Sequence, residues 1–221
     1  VYDRALLQEI AAIAEQHQII VFADEIYDQM LYGEAQHVPM ATLVHDTLCA
    51  TFNGLSKIYR ACGYRVGWVS FSGDREHAAD YLHAVELLTS LRLCANVPGQ
   101  WAVQTALGGF QSIGKLTSPG GRLYQSRQAV VDGVAASRYL ELRVPDGAMY
   151  AFPSVKRELI PDFHDQRFAL DLLEKQHVLI APGSSFNVPY RNHFRITTLP
   201  DDRKMQIVFE RMEEVLDSMA E

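Results

Sequence analysis

Behind Asp3, a residue suited to capping a helix, Leu6, Leu7, Ile10, Ile13 and Ala14 recur at helical spacing and predict a helix over 3–17. The period then changes. Ile19-Ile20-Val21-Phe22-Ala23 is a short unbroken apolar run, the pattern of a fully buried parallel strand, and it ends in Asp24-Glu25. A second run over 47–52 ends in Asn53-Gly54-Leu55-Ser56-Lys57, and a third over 65–71 ends in Ser72-Gly73-Asp74. Helical patterns follow over 75–93 and 98–113.

Ser118-Pro119-Gly120-Gly121 interrupts this texture, and a further helix is expected over 123–139. The segments 140–144 and 148–152, joined by Pro145-Asp146-Gly147, read as a hairpin. A helix over 168–176, strands over 178–181 and 194–198, and a closing amphipathic helix over 201–219 complete the pattern. No internal repeat or low-complexity segment stands out. The expected fold class is α/β, with a soft boundary near 115–122. Residues 1–118 form part of a large domain built on a parallel-type sheet, and residues 119–221 form a smaller C-terminal α+β domain.

Composition narrows the function classes. Of 221 residues, 48% are hydrophobic and 21% charged, which excludes disordered, collagen-like and coiled-coil chains. The net charge of −7 argues against nucleic-acid binding, which calls for a basic surface. No apolar stretch is long enough for a membrane-spanning helix, and no leader pattern opens the sequence. The chain starts at Val1 and enters a helix at once, so it reads as beginning inside a domain. Cys49, Cys62 and Cys94 are widely spaced and odd in number, the usage of reduced, buried thiols in a cytoplasmic protein. The histidines show no metal-ligand spacing, so no metal site is expected. Gly108-Gly109 and Gly120-Gly121 follow no strand and read as turns.

Ligands of open α/β sheets sit outside the carboxyl ends of the strands. Asp24, Lys57 and the Gly73 turn all fall at such ends in this reading. Singly, each residue has a plainer explanation. An aspartate after a strand commonly caps a helix, and a loop lysine is commonly solvated. Tyr27 fits a core position with a satisfied hydroxyl, and Arg65 fits a strand edge. Arg195 is harder to dismiss, because an arginine between Phe194 and Ile196 in a strand calls for an anionic partner.

Taken together, the strings DEIY at Asp24, NGLSK ending at Lys57, GYRVGW around Arg65 and FRIT around Arg195 resemble, in order, the fold-type I aminotransferases that use pyridoxal 5'-phosphate (PLP). FADEIYD, FNGLSK-YR, RLCANVP, TALGG, PGGRLY and the TLP after FRIT are closer still to the bacterial alanine (glutamate–pyruvate) transaminases. The resemblance implies that Lys57 holds PLP covalently and, once freed, moves the proton between substrate and cofactor. It implies that Asp24 pairs with the pyridinium nitrogen, Tyr27 with the ring hydroxyl and Arg65 with the phosphate. Arg195 then binds the substrate α-carboxylate as a bidentate fork. The implied reaction moves an amino group between a small 2-amino acid, alanine or glutamate, and a 2-oxo acid, in a homodimer.

Two departures qualify this. Many relatives carry a phosphate-binding hydroxyl three residues before the lysine, where this chain has Gly54; Ser56 either substitutes for it or caps the local turn, and is not counted among the candidate residues. Relatives also have a long segment ahead of the point matching Val1, which supplies the rest of the cofactor pocket. The alternative expectation is therefore a catalytically incomplete piece that folds or dimerises without turnover.

Overall fold

In the computed structural model, which describes residues 1–221, the first helix, α1 (Arg4–Gln16), starts at Asp3, whose carboxylate accepts the Leu6 amide at 2.8 Å. At the far end, Glu15 accepts the amides of His45 and Asp46 at 2.6 and 3.0 Å, and these two donors hold its carboxyl below the usual range. The helix buries Ala11 and Ala14, with Leu7 half-buried and packed against the same core as Ala11, while Leu6, Ile10 and Ile13 stay exposed, so only part of the expected apolar face makes the contact.

The sheet that follows has the order β1-β2-β3. Strand β1 (Val21–Asp24) runs parallel to β2 (Leu48–Gly54), with Asp24 opposite Phe52. Strand β3 (Gly67–Gly73) runs antiparallel to β2, with Gly54 opposite Gly67 and Leu48 opposite Gly73. This corrects the expected placement of the Gly73 turn, which lies at the other end of the sheet from Asp24 and Lys57. The connection over 55–66 contains only a short 3-10 turn, Cys62–Tyr64. A parallel return needs a crossover, usually a helix, and none is there. Nor is β1 fully buried: Ala23 is, but Phe22 is 58% exposed and meets Phe52 and Tyr81 at ring-centroid distances of 5.8 and 6.2 Å.

Helix α2 (Ala79–Arg92) begins later than its pattern, because Asp74 takes the Glu76 and His77 amides at 2.9 and 3.3 Å and holds that stretch as a turn. Helix α3 (Val97–Gly108) stops early, where the Gln111 side chain donates to the carbonyls of Ala106, Leu107 and Gly109. Cys49 is buried, but Cys62 and Cys94 are exposed, because they stand on connections rather than in the sheet. A short helix, α4 (Ile113–Thr117), follows in sequence.

The chain divides into two units, Val1–Gly114 and Lys115–Glu221. The second holds α5 (Arg122–Ala136), α6 (Asp165–Gln176) and α7 (Asp202–Ala220) around a core that includes the fully buried Val130, Phe168, Leu172, Phe194, Met212 and Leu216. Asp201 caps α7 by accepting the Lys204 amide at 2.9 Å.

Its short strands do not form the expected hairpin. Strand β4 (Leu140–Glu141) pairs with β6 (Ser154–Val155), whereas β5 (Tyr150–Ala151) pairs with β8 (Phe194–Thr197). Pro145 has no amide to give a ladder, its carbonyl is taken by Arg127 Nε at 2.6 Å, and Ala148 turns left-handed at φ 60°. The chain therefore leaves β4 before it could fold back on it. Strand β7 (Ala181–Pro182) joins the other edge of β8, a little later than the run over 178–181 suggested.

Candidate active site

The antiparallel β3 brings three segments to one end of the first unit's sheet: the exit of β1, the exit of β2 and the entry of β3. Asp24 ends β1. Its Oδ1 accepts the Ile26 amide at 3.3 Å, and the carboxylate is otherwise open to solvent. The chain then turns tightly: Asp28 donates its amide to the Glu25 carbonyl at 3.0 Å, and Met30 to that of Tyr27 at 2.9 Å. Tyr27, half-buried, is thereby held beside the exit of β2.

Lys57 lies on the loop after β2. The Leu55 amide reaches Val66 O at 3.0 Å, Ala61 closes on Leu55 O at 3.0 Å, and Arg60 on Lys57 O at 3.1 Å. These bonds present the Lys57 amine, half-buried, 5.8 Å from the centroid of the Tyr27 ring. Arg65 stands at the entry of β3 with left-handed backbone (φ 52°, ψ 47°), and its Nη1 donates to Cys62 O at 2.8 Å. The rest of the guanidinium is exposed.

Gly54 has a local reason to be glycine. A Cβ there would stand 2.7 Å from Val66 O and 3.0 Å from Gly67 Cα, so the close approach of β2 to β3 excludes a side chain. A hydroxyl-bearing residue cannot occupy this position without opening the sheet.

The donor set fits PLP. A half-buried primary amine faces a phenol, a carboxylate with a free oxygen closes the neighbouring strand, and an exposed guanidinium offers unused N–H groups to a phosphate. No group of three or more His, Cys, Asp or Glu side chains could hold a metal ion.

Arg195 belongs to the second unit, on β8. Its guanidinium carbon lies 4.6 Å from the Tyr150 ring centroid and 4.6 Å from that of Phe186. Phe186 is placed by a short turn, Gly183–Phe186, pinned at its first two residues. Gly183 donates its amide to His193 O at 2.9 Å, and Ser184 donates its amide to Asp165 Oδ2 at 2.6 Å. Asp165 is fully buried; burial works against its charge, but the Ser184 amide and hydroxyl, the Gln166 amide and His164 outweigh it and lower its pKa. Both rings carry a weak signal in the sequence: Met149-Tyr150-Phe152 fits a lining of the substrate cleft or a hairpin core, and Pro182-Gly183-Ser184-Ser185-Phe186 resembles a loop that in relatives approaches the substrate carboxylate. Asp165 carries none, because its partner Ser184 is nineteen residues away.

A model of the family "Aminotransferase class I and II" matches residues 1–212. The chain belongs to the class I and II aminotransferases. It is 46% identical over 209 residues to the glutamate-pyruvate aminotransferase AlaA of Escherichia coli (strain K12), covering 94% of this chain and 52% of that protein. It is 42% identical over 212 residues to an alanine aminotransferase of Mycobacterium tuberculosis (strain H37Rv), covering 96% of this chain and 49% of that protein. Among solved structures, an aminotransferase from Escherichia coli superposes with a TM-score of 0.94 at 44% identity, covering 98% of this chain and 54% of that one. This aminotransferase chain therefore spans about half the length of the curated relatives it matches. As expected, its fold class is that of the fold-type I enzymes.

Proposed function

We propose that this chain carries the covalent and electrostatic half of a PLP-dependent transaminase site, acting between a small 2-amino acid, alanine or glutamate, and a 2-oxo acid. The observation that supports it is the gathering of Asp24, Tyr27, Lys57 and Arg65 at one end of a sheet, with the Lys57 amine 5.8 Å from the Tyr27 ring. The chemistry PLP supplies when bound is an electron-poor ring that draws off the electron pair left when the substrate Cα loses its proton.

Every other part of the work falls to the protein. Lys57 Nζ would hold the cofactor and, when its amine is free, would take the proton from the substrate Cα and give it back on the other side of the transfer. The Asp24 carboxylate would pair with a protonated ring nitrogen, and the Tyr27 hydroxyl with the ring hydroxyl. Arg65 would hold the phosphate, and Arg195 would take the substrate α-carboxylate. The names of the AlaA and alanine aminotransferase relatives support alanine and glutamate as substrates. The same reading carries a cytoplasmic homodimer. Support for the dimer, though not for the location, comes from apolar side chains at the end of α2, just past it and on α3: Leu91, Leu93 and Trp101 are 84%, 87% and 76% exposed. No helix is long and apolar enough to cross a membrane.

The test is an absorbance titration with PLP, followed by borohydride reduction and peptide mapping, then alanine and 2-oxoglutarate. A reduced label on Lys57 and pyruvate formation are expected. Label scattered over other lysines overturns the assignment of Lys57.

A further inference from the structure

Asn53 is the point where the two loops of the site are joined. It is the penultimate residue of β2, and its side chain reaches across to the turn that follows β1. Nδ2 donates to the Glu25 carbonyl at 3.1 Å and to Asp28 Oδ2 at 3.2 Å, while Oδ1 accepts the Gly54 amide at 2.7 Å. Glu25 and Asp28 are the two residues whose backbone bond closes the Tyr27 turn. Gly54 is the residue from which the Lys57 loop departs.

The surroundings make this bond set demanding. Asp28 is half-buried; burial pushes its carboxyl up, and Asn53 is the strongest opposing influence. Its Oδ1 is buried without a hydrogen-bond partner. The Glu25 side chain is committed elsewhere, to the Met40 amide at 2.9 Å and to His37 Nε2 at 3.0 Å. Removing the Asn53 amide would leave the Glu25 carbonyl without this donor and a half-buried carboxylate without its side-chain partner. An unsatisfied buried polar group is costly, more so when charged.

We propose that Asn53 is a positioning residue, setting the Tyr27 turn against the Lys57 loop and so fixing how the phenol meets the amine. The inference rests on the reading of Lys57 as the attachment point of PLP. Its physical content is a coupling: the Glu25 amide on Phe52 O at 2.9 Å ties the start of the Tyr27 turn to β2, and the Asn53 side chain extends that tie to Asp28 on one side and to the Gly54 amide, where the Lys57 loop departs, on the other.

The experiment is amide hydrogen exchange on the whole chain, comparing wild type with Asn53→Ala, Asn53→Asp and the swapped pair Asn53→Asp/Asp28→Asn. In both single variants the Asp28 and Met30 amides, which report the Tyr27 turn, should exchange about tenfold faster, and so should those of Arg60 and Ala61 in the Lys57 loop. Amides between β2 and β3 should keep their protection. The swap puts a donor back across the gap and should return both turns towards wild type. Even acceleration across the whole sheet, or a response in the Tyr27 turn alone, overturns the proposal. Asn53→Ser, too short to span both acceptors, covers a failure of the other variants to fold; no change in either turn would also overturn it. In parallel, borohydride capture of PLP on Lys57 should slow about tenfold in Asn53→Ala. If wild type itself shows no capture on Lys57, the transaminase reading fails, and the exchange data still judge the coupling.

Discussion

The guanidinium carbon of Arg195 lies 4.6 Å from the centroid of the Phe186 ring, and the Tyr150 ring stands at the same 4.6 Å. Neither ring offers the guanidinium a hydrogen-bond acceptor on its face, so these two contacts hold the charge in place without using its N–H donors. Phe186→Ala should therefore raise KM for the amino acid about fivefold with a smaller change in kcat, since the ring is 39% exposed and an exposed cation–π contact is worth about 1 kcal/mol. Steady-state kinetics of the active protein check this. Arg195→Lys should not restore carboxylate binding, because an ammonium cannot make the bidentate contact.

Asp24 gives a prediction that separates attachment from turnover. Asp24→Asn should still capture PLP on Lys57, because the lysine loop is held by its own backbone bonds. Turnover should fall by about 10²-fold or more, the usual cost of losing one preorganised electrostatic contact. Loss of capture together with turnover would mean that Asp24 shapes the loop instead.

At Gly133, on α5, a Cβ would stand 2.4 Å from Phe209 Cδ2 and 2.5 Å from Cγ, against the face of a ring on α7. Helix propensity alone favours alanine by about 1 kcal/mol. The clash should reverse that sign, and Gly133→Ala should destabilise by about 1–3 kcal/mol, as overpacking does. Chemical denaturation measures it, and Phe209→Leu in the same chain should recover part of the loss.

The lowered pKa of Asp165 links the Phe186 turn to acid stability. A folded pKa below the unfolded one, which is about 3.9, means the contribution is complete above that value and is lost as pH falls towards the folded pKa. Asp165→Asn should flatten the dependence of stability on pH below about pH 4, read from denaturant midpoints across an acid series.

Cysteine accessibility offers a direct count. Cys62 and Cys94 should react with a thiol reagent in the native protein. Cys49 is fully buried and its thiol is pushed up by burial, so it should react only after unfolding.

Most helices were legible because their apolar spacing and caps are local: Asp3 and Asp201 both accept the amides their positions predict. The direction of β3 was not, since an apolar run has no sense of direction; the clue was the missing crossover helix between Gly54 and Gly67. The hairpin reading failed because Pro145 and Ala148 send the chain to a different partner, which is decided by contacts distant in sequence. The candidate residues stood out through their strings. Their supports, Asn53 under the two loops and Asp165 under the Phe186 turn, are contacts between segments and leave no periodic trace.

The antiparallel return of β3 has a mechanical meaning. Lys57 and Arg65 hang from the two ends of one arch, whose feet are clamped at Gly54 and Gly67. The length of that arch is a gauge for the spacing between an amine and a guanidinium, and changing it should leave the β2–β3 register from Gly54–Gly67 to Leu48–Gly73 in place. Adding or removing a residue at 61–63 would recalibrate the span, and with it the size of molecule that can bridge the two charges. Inserting one residue between Gly67 and Trp68 would instead turn Trp68 and every later side chain of the strand to the opposite face.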